Sequence, residues 1–242
     1  LCERDSRLTS GGTLGKLERF LRPTPLHPQW LLGRRNVPPE LLACRGLVAD
    51  VGSADRWLQK RLATDTGYVA IDRPAPDGNP YADRPDVFSS AEALPFADGI
   101  FEAVACFEVL EHVDDPTLAI REAARVLRPG GIYVLSTPFL YPLHDRPRDF
   151  RRYTPYGLHR ALADAGLEVI AIRPMLRSME VVGLLAALAV AGGTSGSRWR
   201  MALLPVATPI ILAINLSAWI GARIWPAWDG MAMGYEAIGR KP

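Results

Sequence analysis

The chain has 242 residues, 48% of them hydrophobic, enough for one large domain with a proper core and too many for a disordered protein. A formal net charge of +2 and the lack of any lysine/arginine block argue against nucleic acid as the principal partner. Three cysteines, Cys2, Cys44 and Cys106, are odd in number and lack paired metal spacing, which argues against structural zinc and suits reduced thiols in a cytoplasmic setting.

In chain order, Glu3, Arg4, Asp5 and Arg7 interrupt the start with charge, so no signal-peptide core is read there and export is not expected. Leu1 to Gly15 reads as loose, and "KLERFL" and "HPQWLLGRR" read as short amphipathic helices, an N-terminal cover over residues 1–44. The stretch "GLVADVGSADRW", Gly46 to Trp57, then predicts a buried strand, a tight turn and a helix. Only Gly52 remains of the alternating glycines that nucleotide-binding turns often carry. Further apolar runs predict strands at 68–72, 103–107, 131–137 and 167–172, with a weaker one at 86–88. Helical segments alternate with them, the pattern of a parallel sheet covered on both faces. Asp114 and Asp115 before Pro116 open one helix, which Pro129-Gly130-Gly131 stops; Thr154 and Pro155 open another, which Gly166 ends.

Asp72 closes the second strand about 20 residues past the first turn, where a carboxylate can accept the hydroxyls of a ribose. A nicotinamide site would need a G-x-G-x-x-G turn, and "GSADRW" supplies only the first glycine, so a dehydrogenase is disfavoured. Trp57 reads as core packing, and Cys106, inside an apolar strand, as a small buried hydrophobe.

The interval between "AIRP" and "GYEAIGRKP" is too long for a strand connection and predicts a hydrophobic helical insertion over 175–230. "VVGLLAALAVAGG" (181–193) precedes a basic "SRWR", and Ala202 to Ala222 carries no charge. That run meets the ~20-residue length of a bilayer span, but Pro205, Pro209, Asn215 and Ser217 interrupt it and both ends should return to one sheet. The expectation is a hairpin dipping into a membrane from the cytoplasmic side, with a hydrophobic lid or a homodimer surface through 181–225 as the alternative.

The segments "SSAEALPFADGIFEAVACFEVLEHVDDP" (89–116) and "REAARVLRPGGIYVLSTPF" (121–139) resemble the class I S-adenosylmethionine-dependent methyltransferases, in particular the type 11 group. The likeness covers roughly 45–173 and resumes at "GYEAIGRKP", similar to that family's last strand. It implies an α/β, Rossmann-like, doubly wound seven-stranded sheet, read as a single methyltransferase domain over 1–242. It also implies S-adenosyl-L-methionine as cofactor, with contacts from Asp50, Gly52, Ser53, Ala54, Asp72, Arg73, Ser90, Ala91, Glu92 and Phe107. Two positions depart from the family pattern: Ser90 stands where an aspartate is common, and Ala54 at a usual glycine. The alanine is tolerable if its backbone avoids positive φ.

Methyl transfer chiefly needs proximity, orientation and, for a hydroxyl acceptor, a base. The candidates are Glu111, His112 and His144, with His112 or His144 as the base. Glu108, Glu111 and His112 form an E-x-x-E-H run similar to a divalent-metal set of some quinone-pathway O-methyltransferases, and would share one face if helical. A water-exposed acidic turn is the blander reading, and no metal is assigned. "HDRPRDFRRYTPYGL" (144–158) resembles a segment of envelope sugar, polysaccharide and lipid methyltransferases, with Asp149 and Arg152 structural, His144 nearer the substrate, and Arg146, Arg148, Arg151 and Arg152 able to attract a phosphate or carboxylate. The reading is O-methylation of a sugar, lipid-linked or other amphipathic small molecule; a noncatalytic binding or scaffold protein at a membrane surface is the alternative.

Overall fold

The computed structural model describes residues 20–33, 36–74, 84–194 and 197–242. The N-terminal cover before residue 20 lies outside them. The chain divides into two compact units: a sheet unit of Asn36–Phe139, Pro147–Arg173 and Gly234–Pro242, and a helical unit of Leu1–Arg35, Leu140–Arg146 and Pro174–Met233.

The sheet unit opens with a short helix, α1 (Pro39–Leu42), and continues through β1 (Leu47–Val51), β2 (Gly67–Asp72), β3 (Val87–Phe88), β4 (Phe101–Phe107), α2 (Pro116–Val126), β5 (Leu127–Pro138), α3 (Pro155–Asp164), β6 (Glu168–Met175) and β7 (Gly234–Arg240). The seven strands lie in the order β3-β2-β1-β4-β5-β7-β6. β1 is parallel to β2 and β4, β4 to β5, and β2 to β3; β7 runs antiparallel to β5, from Ile132 opposite Arg240 to Pro138 opposite Gly234. Parallel central strands must be apolar on both faces. Val48, Ala49, Ala103, Val104, Ala105 and Val134 are accordingly buried. Cys106 is buried among them, which pushes its thiol up to about 12, while burial pushes Cys44 up to about 11; both are inert packing groups. Trp57 lies tilted against Phe107 with ring centroids 5.4 Å apart and packs on the same core.

The helix boundaries follow from their caps. The Asp115 side chain accepts hydrogen bonds from the backbone N–H of Thr117 and Leu118 at 2.9 and 3.1 Å, with Pro116 as the first helical residue of α2. Thr154 accepts from Gly157 at 3.1 Å, and Gly166, at φ +79°, ends the turn after α3. Pro129-Gly130-Gly131 lies inside the observed strand: α2 stops at Val126 and β5 begins at Leu127. The helix expected after the first turn does not form. Residues 54–61 are successive turns, because Ala54 and Arg56 sit at φ +47° and +51°, incompatible with a right-handed helix.

The helical unit is built on α4 (Ser178–Gly193), α5 (Arg198–Met201) and α6 (Leu204–Ile224). Glu180 accepts from the Arg177 N–H at 3.0 Å to start α4. α4 and α6 pack through small residues: a Cβ at Gly183 would lie 2.2 Å from the Ala218 Cβ, so only glycine permits this approach. Asn215, fully buried, donates through Nδ2 to the carbonyls of Pro25 and His27 at 2.8 and 3.0 Å, tying α6 to the preceding segment. Burial, with Arg22 nearby, holds the His27 imidazole down at about 4, so the ring is neutral and its Nδ1 accepts from the Gln29 N–H.

Candidate active site

The carboxyl ends of parallel strands form the ligand edge of an open α/β sheet, and the loops after β1, β2, β4 and β5 supply the polar groups here. The turn after β1 is fixed by the neighbouring strand: the N–H groups of Gly52 and Ser53 both donate to the Ile71 carbonyl, at 2.9 and 3.1 Å. Gly52 has φ +75°, and a Cβ added there would meet Val109 Cγ2 at 2.3 Å. Asp50 is buried and accepts from the Tyr68 hydroxyl at 2.6 Å; burial first, then the Asp50 carboxylate, push that phenol well above its ordinary range.

Asp72 is engaged by backbone. Oδ2 accepts from the Ala54 N–H at 3.2 Å and Oδ1 from the Arg73 N–H at 2.8 Å. A carboxylate has about four acceptor positions, so these bonds orient the group and leave capacity for a ribose diol. They also require Ala54 to sit at φ +47°, the region that the sequence reading needed it to avoid. An L-residue there costs ~1–2 kcal/mol relative to its ordinary conformation, part of which the Asp72 bond offsets. Ala54→Gly should therefore raise stability by about 1 kcal/mol, net of glycine's extra unfolded-state entropy, measured as a shift in the urea midpoint without change in slope. Arg56 points to other work: it pairs with Asp86 through both guanidinium nitrogens at 3.0 Å.

Beyond β3, Ser90 donates to Glu92 Oε2 at 3.0 Å and accepts from the Glu92 N–H at 3.2 Å. The other Glu92 oxygen accepts from the Asp115 N–H. Glu92 thus braces the Ser90–Ala91 turn against the start of α2, while the Ser90 oxygen keeps an acceptor position suited to an amino group. Phe107 contributes packing through Trp57.

After β4 the chain does not become helical: Glu108 has φ +54°, and 110–114 are turns and bends, so Glu108, Glu111 and His112 do not share a helix face. Glu108 Oε1 accepts from the Ser136 hydroxyl at 2.7 Å. Glu111 is fully buried, with Oε1 3.7 Å from His112 Nε2. His112 Nδ1 lies 2.6 Å from the Arg148 carbonyl, and a carbonyl can only accept, so the Nδ1 carries the proton. Arg151 donates to the carbonyls of Val113 and Asp114 at 2.6 and 2.7 Å, and Arg152 forms a two-pronged pair with Asp149. Two of the four arginines expected to attract an anion are therefore spent on holding the loop, whereas Arg146 and Arg148 are exposed. His144 belongs to the helical unit, its ring edge-on to Tyr141 at 5.5 Å.

Tyr68, Ser136 and Thr137 escaped the sequence reading. The signal for the two hydroxyls was present, since "ST" closes an otherwise apolar strand at the ligand edge; nothing in the sequence marks Tyr68 as the partner of Asp50.

Residues 50–135 match the family model described as a methyltransferase domain. The matched stretch is a methyltransferase domain. The chain is 62% identical over 39 residues to a ubiquinone biosynthesis O-methyltransferase of Xanthomonas oryzae pv. oryzae, a stretch covering 16% of each protein. It is 33% identical over 121 residues to the demethylmenaquinone methyltransferase of Mycolicibacterium vanbaalenii, covering 49% of this chain and 53% of that enzyme. The match thus spans from about a sixth to about half the length of these relatives. Among solved structures, Haemonchus contortus phosphoethanolamine N-methyltransferase 2 in complex with S-adenosyl-L-methionine has a TM-score of 0.53 at 12% identity, over 93% of this chain and 60% of that one, a likeness of fold.

The residues at this edge fit the cofactor that a methyltransferase domain implies. The Ser53 hydroxyl is buried without a hydrogen-bond partner among the described residues, as is that of Thr137, and each is an orphan that a polar ligand can satisfy. Gly52, Asp72 and Ser90 present close backbone, a diol acceptor and an amino acceptor, in the order of the β1, β2 and β3 loops. Asp50, Gly52, Ser53, Ala54, Asp72 and Ser90 would hold it.

Proposed function

We propose that the chain transfers a methyl group from S-adenosylmethionine to an oxygen of a small, amphipathic acceptor, of the sugar or lipid-linked kind. The observation that carries this reading is the β1–β2 edge, where a strained Ala54 is kept in place by the Asp72 carboxylate beside the orphaned Ser53 hydroxyl. When bound, the cofactor supplies an electrophilic methyl on a sulfonium. The chain's part is to fix the geometry and to take a proton from the acceptor hydroxyl. Glu111 Oε1 and His112 Nε2 form the proton-handling pair, with Nδ1–H held by the Arg148 carbonyl so that the ring cannot turn. The relatives' names, a ubiquinone-pathway O-methyltransferase and a demethylmenaquinone methyltransferase, support an apolar or amphipathic acceptor.

A second reading, cofactor binding without turnover, is favoured by Ala54 alone, whose left-handed backbone stands where the family pattern uses glycine. Calorimetric titration with S-adenosylmethionine and its demethylated product decides the pocket. Wild type should bind in the micromolar range, and Asp72→Ala should weaken binding by about tenfold or more, the loss of one charge-assisted pair of hydrogen bonds. Absence of binding by folded wild type would end the enzyme reading.

A further inference from the structure

Helix α6 has one protein-facing stripe, Ala207, Ile211, Asn215, Ala218 and Ala222, at the spacing of a single helix face. A helix packed on a water-soluble unit should be polar on the other side. Here the other side is apolar as well: Val206, Ile210, Leu216, Trp219 and Ile220 are exposed, and Ile224 is 78% exposed. Only 22% of the helix's apolar window is buried. Arg223 is the single charged residue between 204 and 224, and it lies against the Trp219 ring with its guanidinium carbon 3.4 Å from the centroid.

The flanks have the composition of a membrane interface. Trp199 is 86% exposed, and Trp225 and Trp228 are about two-thirds exposed. Residues 197–225 contain three arginines and no acidic residue. Tryptophan settles at the headgroup level, and arginine there is attracted to anionic lipid.

Length decides between spanning and lying on. α6, with 21 residues at 1.5 Å each, reaches ~31 Å, about one bilayer core, whereas α4, with 16, reaches only ~24 Å. The segment leaves the sheet at β6 and returns at β7, which neighbour one another in it, so a crossing by α6 would need a second crossing that α4 is too short to make. We infer that the α4–α6 hairpin is a monotopic anchor, its outer α6 face lying in one leaflet of an anionic bilayer and its tryptophans and arginines at the headgroups.

The proposal is independent of the cofactor reading, and its test needs no turnover. The purified full chain is floated with vesicles of phosphatidylcholine alone or with added phosphatidylglycerol, and its tryptophan fluorescence is followed with brominated lipids. The chain should float with the vesicles, more strongly when phosphatidylglycerol is present, with fluorescence quenched. I220E/I224E should cut partitioning by about tenfold or more while leaving circular dichroism unchanged, since each substitution replaces an apolar side chain in the lipid with a charge. A chain that stays unbound with both vesicle types would overturn the proposal. So would a discrete dimer, measured by light scattering, that I220E/I224E dissociates and that shows no vesicle binding, for the face would then belong to a second copy.

Discussion

Gly52→Ala should cost this protein about 2–5 kcal/mol of stability and most of its affinity for S-adenosylmethionine. Two independent penalties add. At φ +75° any side chain meets the steric cost of the left-handed region, ~1–2 kcal/mol. The new methyl would also lie 2.3 Å from Val109 Cγ2, and overpacking of that kind typically costs ~1–3 kcal/mol. Val109 cannot move cheaply, because Glu108 before it is at φ +54° with its N–H bonded to the Ser136 carbonyl at 3.0 Å, and the His112 N–H donates to the Val109 carbonyl at 2.9 Å. The damage therefore reaches the loop that carries Glu111 and His112. G52A/V109A removes the clash and keeps the φ penalty, so it should recover about half of the lost stability. Urea unfolding and calorimetric titration on the three proteins check this, and equal stability of wild type and Gly52→Ala would show that the turn is not held as described.

Features legible in the sequence share one property: they depend on local chemistry. The apolar runs at 47–51 and 68–72 became β1 and β2 almost residue for residue, and Asp115, Thr154 and Gly166 set helix ends as capping rules require. The motifs around "LPF", "LEHV" and "RPGG" carried the methyltransferase resemblance that the domain match at 50–135 bears out. What could not be read depends on φ values and on partners distant in sequence. Nothing in "GSADRW" states that Ala54 and Arg56 turn left-handed and abolish the expected helix, or that Asp72, 18 residues on, offsets part of the strain by binding the Ala54 N–H. The E-x-x-E-H spacing suggested a helix face for the same reason: periodicity assumes a regular backbone, and Glu108 breaks it. The arginines of "RPRDFRR" looked like anion bait because composition cannot show that Arg151 is committed to the carbonyls of Val113 and Asp114 and Arg152 to Asp149.

That second loop gives the other large effect: Arg152→Ala should destabilise the protein by about 3 kcal/mol and lower the rate of methyl transfer more than it raises the Michaelis constant. The Asp149 side chain is only 2% exposed, and removing Arg152 takes away its two-pronged guanidinium partner, a loss that costs ~3–5 kcal/mol for a fully desolvated charge. The residual exposure of Arg152, 22%, places the expected loss at the low end of that range. D149A/R152A removes both charges and should be less damaging than Arg152→Ala alone, the sign that the cost lies in a buried carboxylate deprived of its guanidinium rather than in lost packing. The kinetic effect follows from what the pair holds still. Residues 148–151 are tied to 111–114 by the Arg148 carbonyl to His112 Nδ1, the Phe150 N–H to the Glu111 carbonyl at 2.9 Å, and the Arg151 guanidinium to Val113 and Asp114. Loosening the Asp149–Arg152 pair frees the loop that fixes the His112 ring, so the proposed base loses its orientation while the loops after β1 and β2, proposed to hold the cofactor, are untouched. Titration of Arg152→Ala with S-adenosylmethionine should thus give a dissociation constant within about twofold of wild type. A large loss of cofactor affinity would mean that the pair supports the pocket itself and that His112 is not the group it positions.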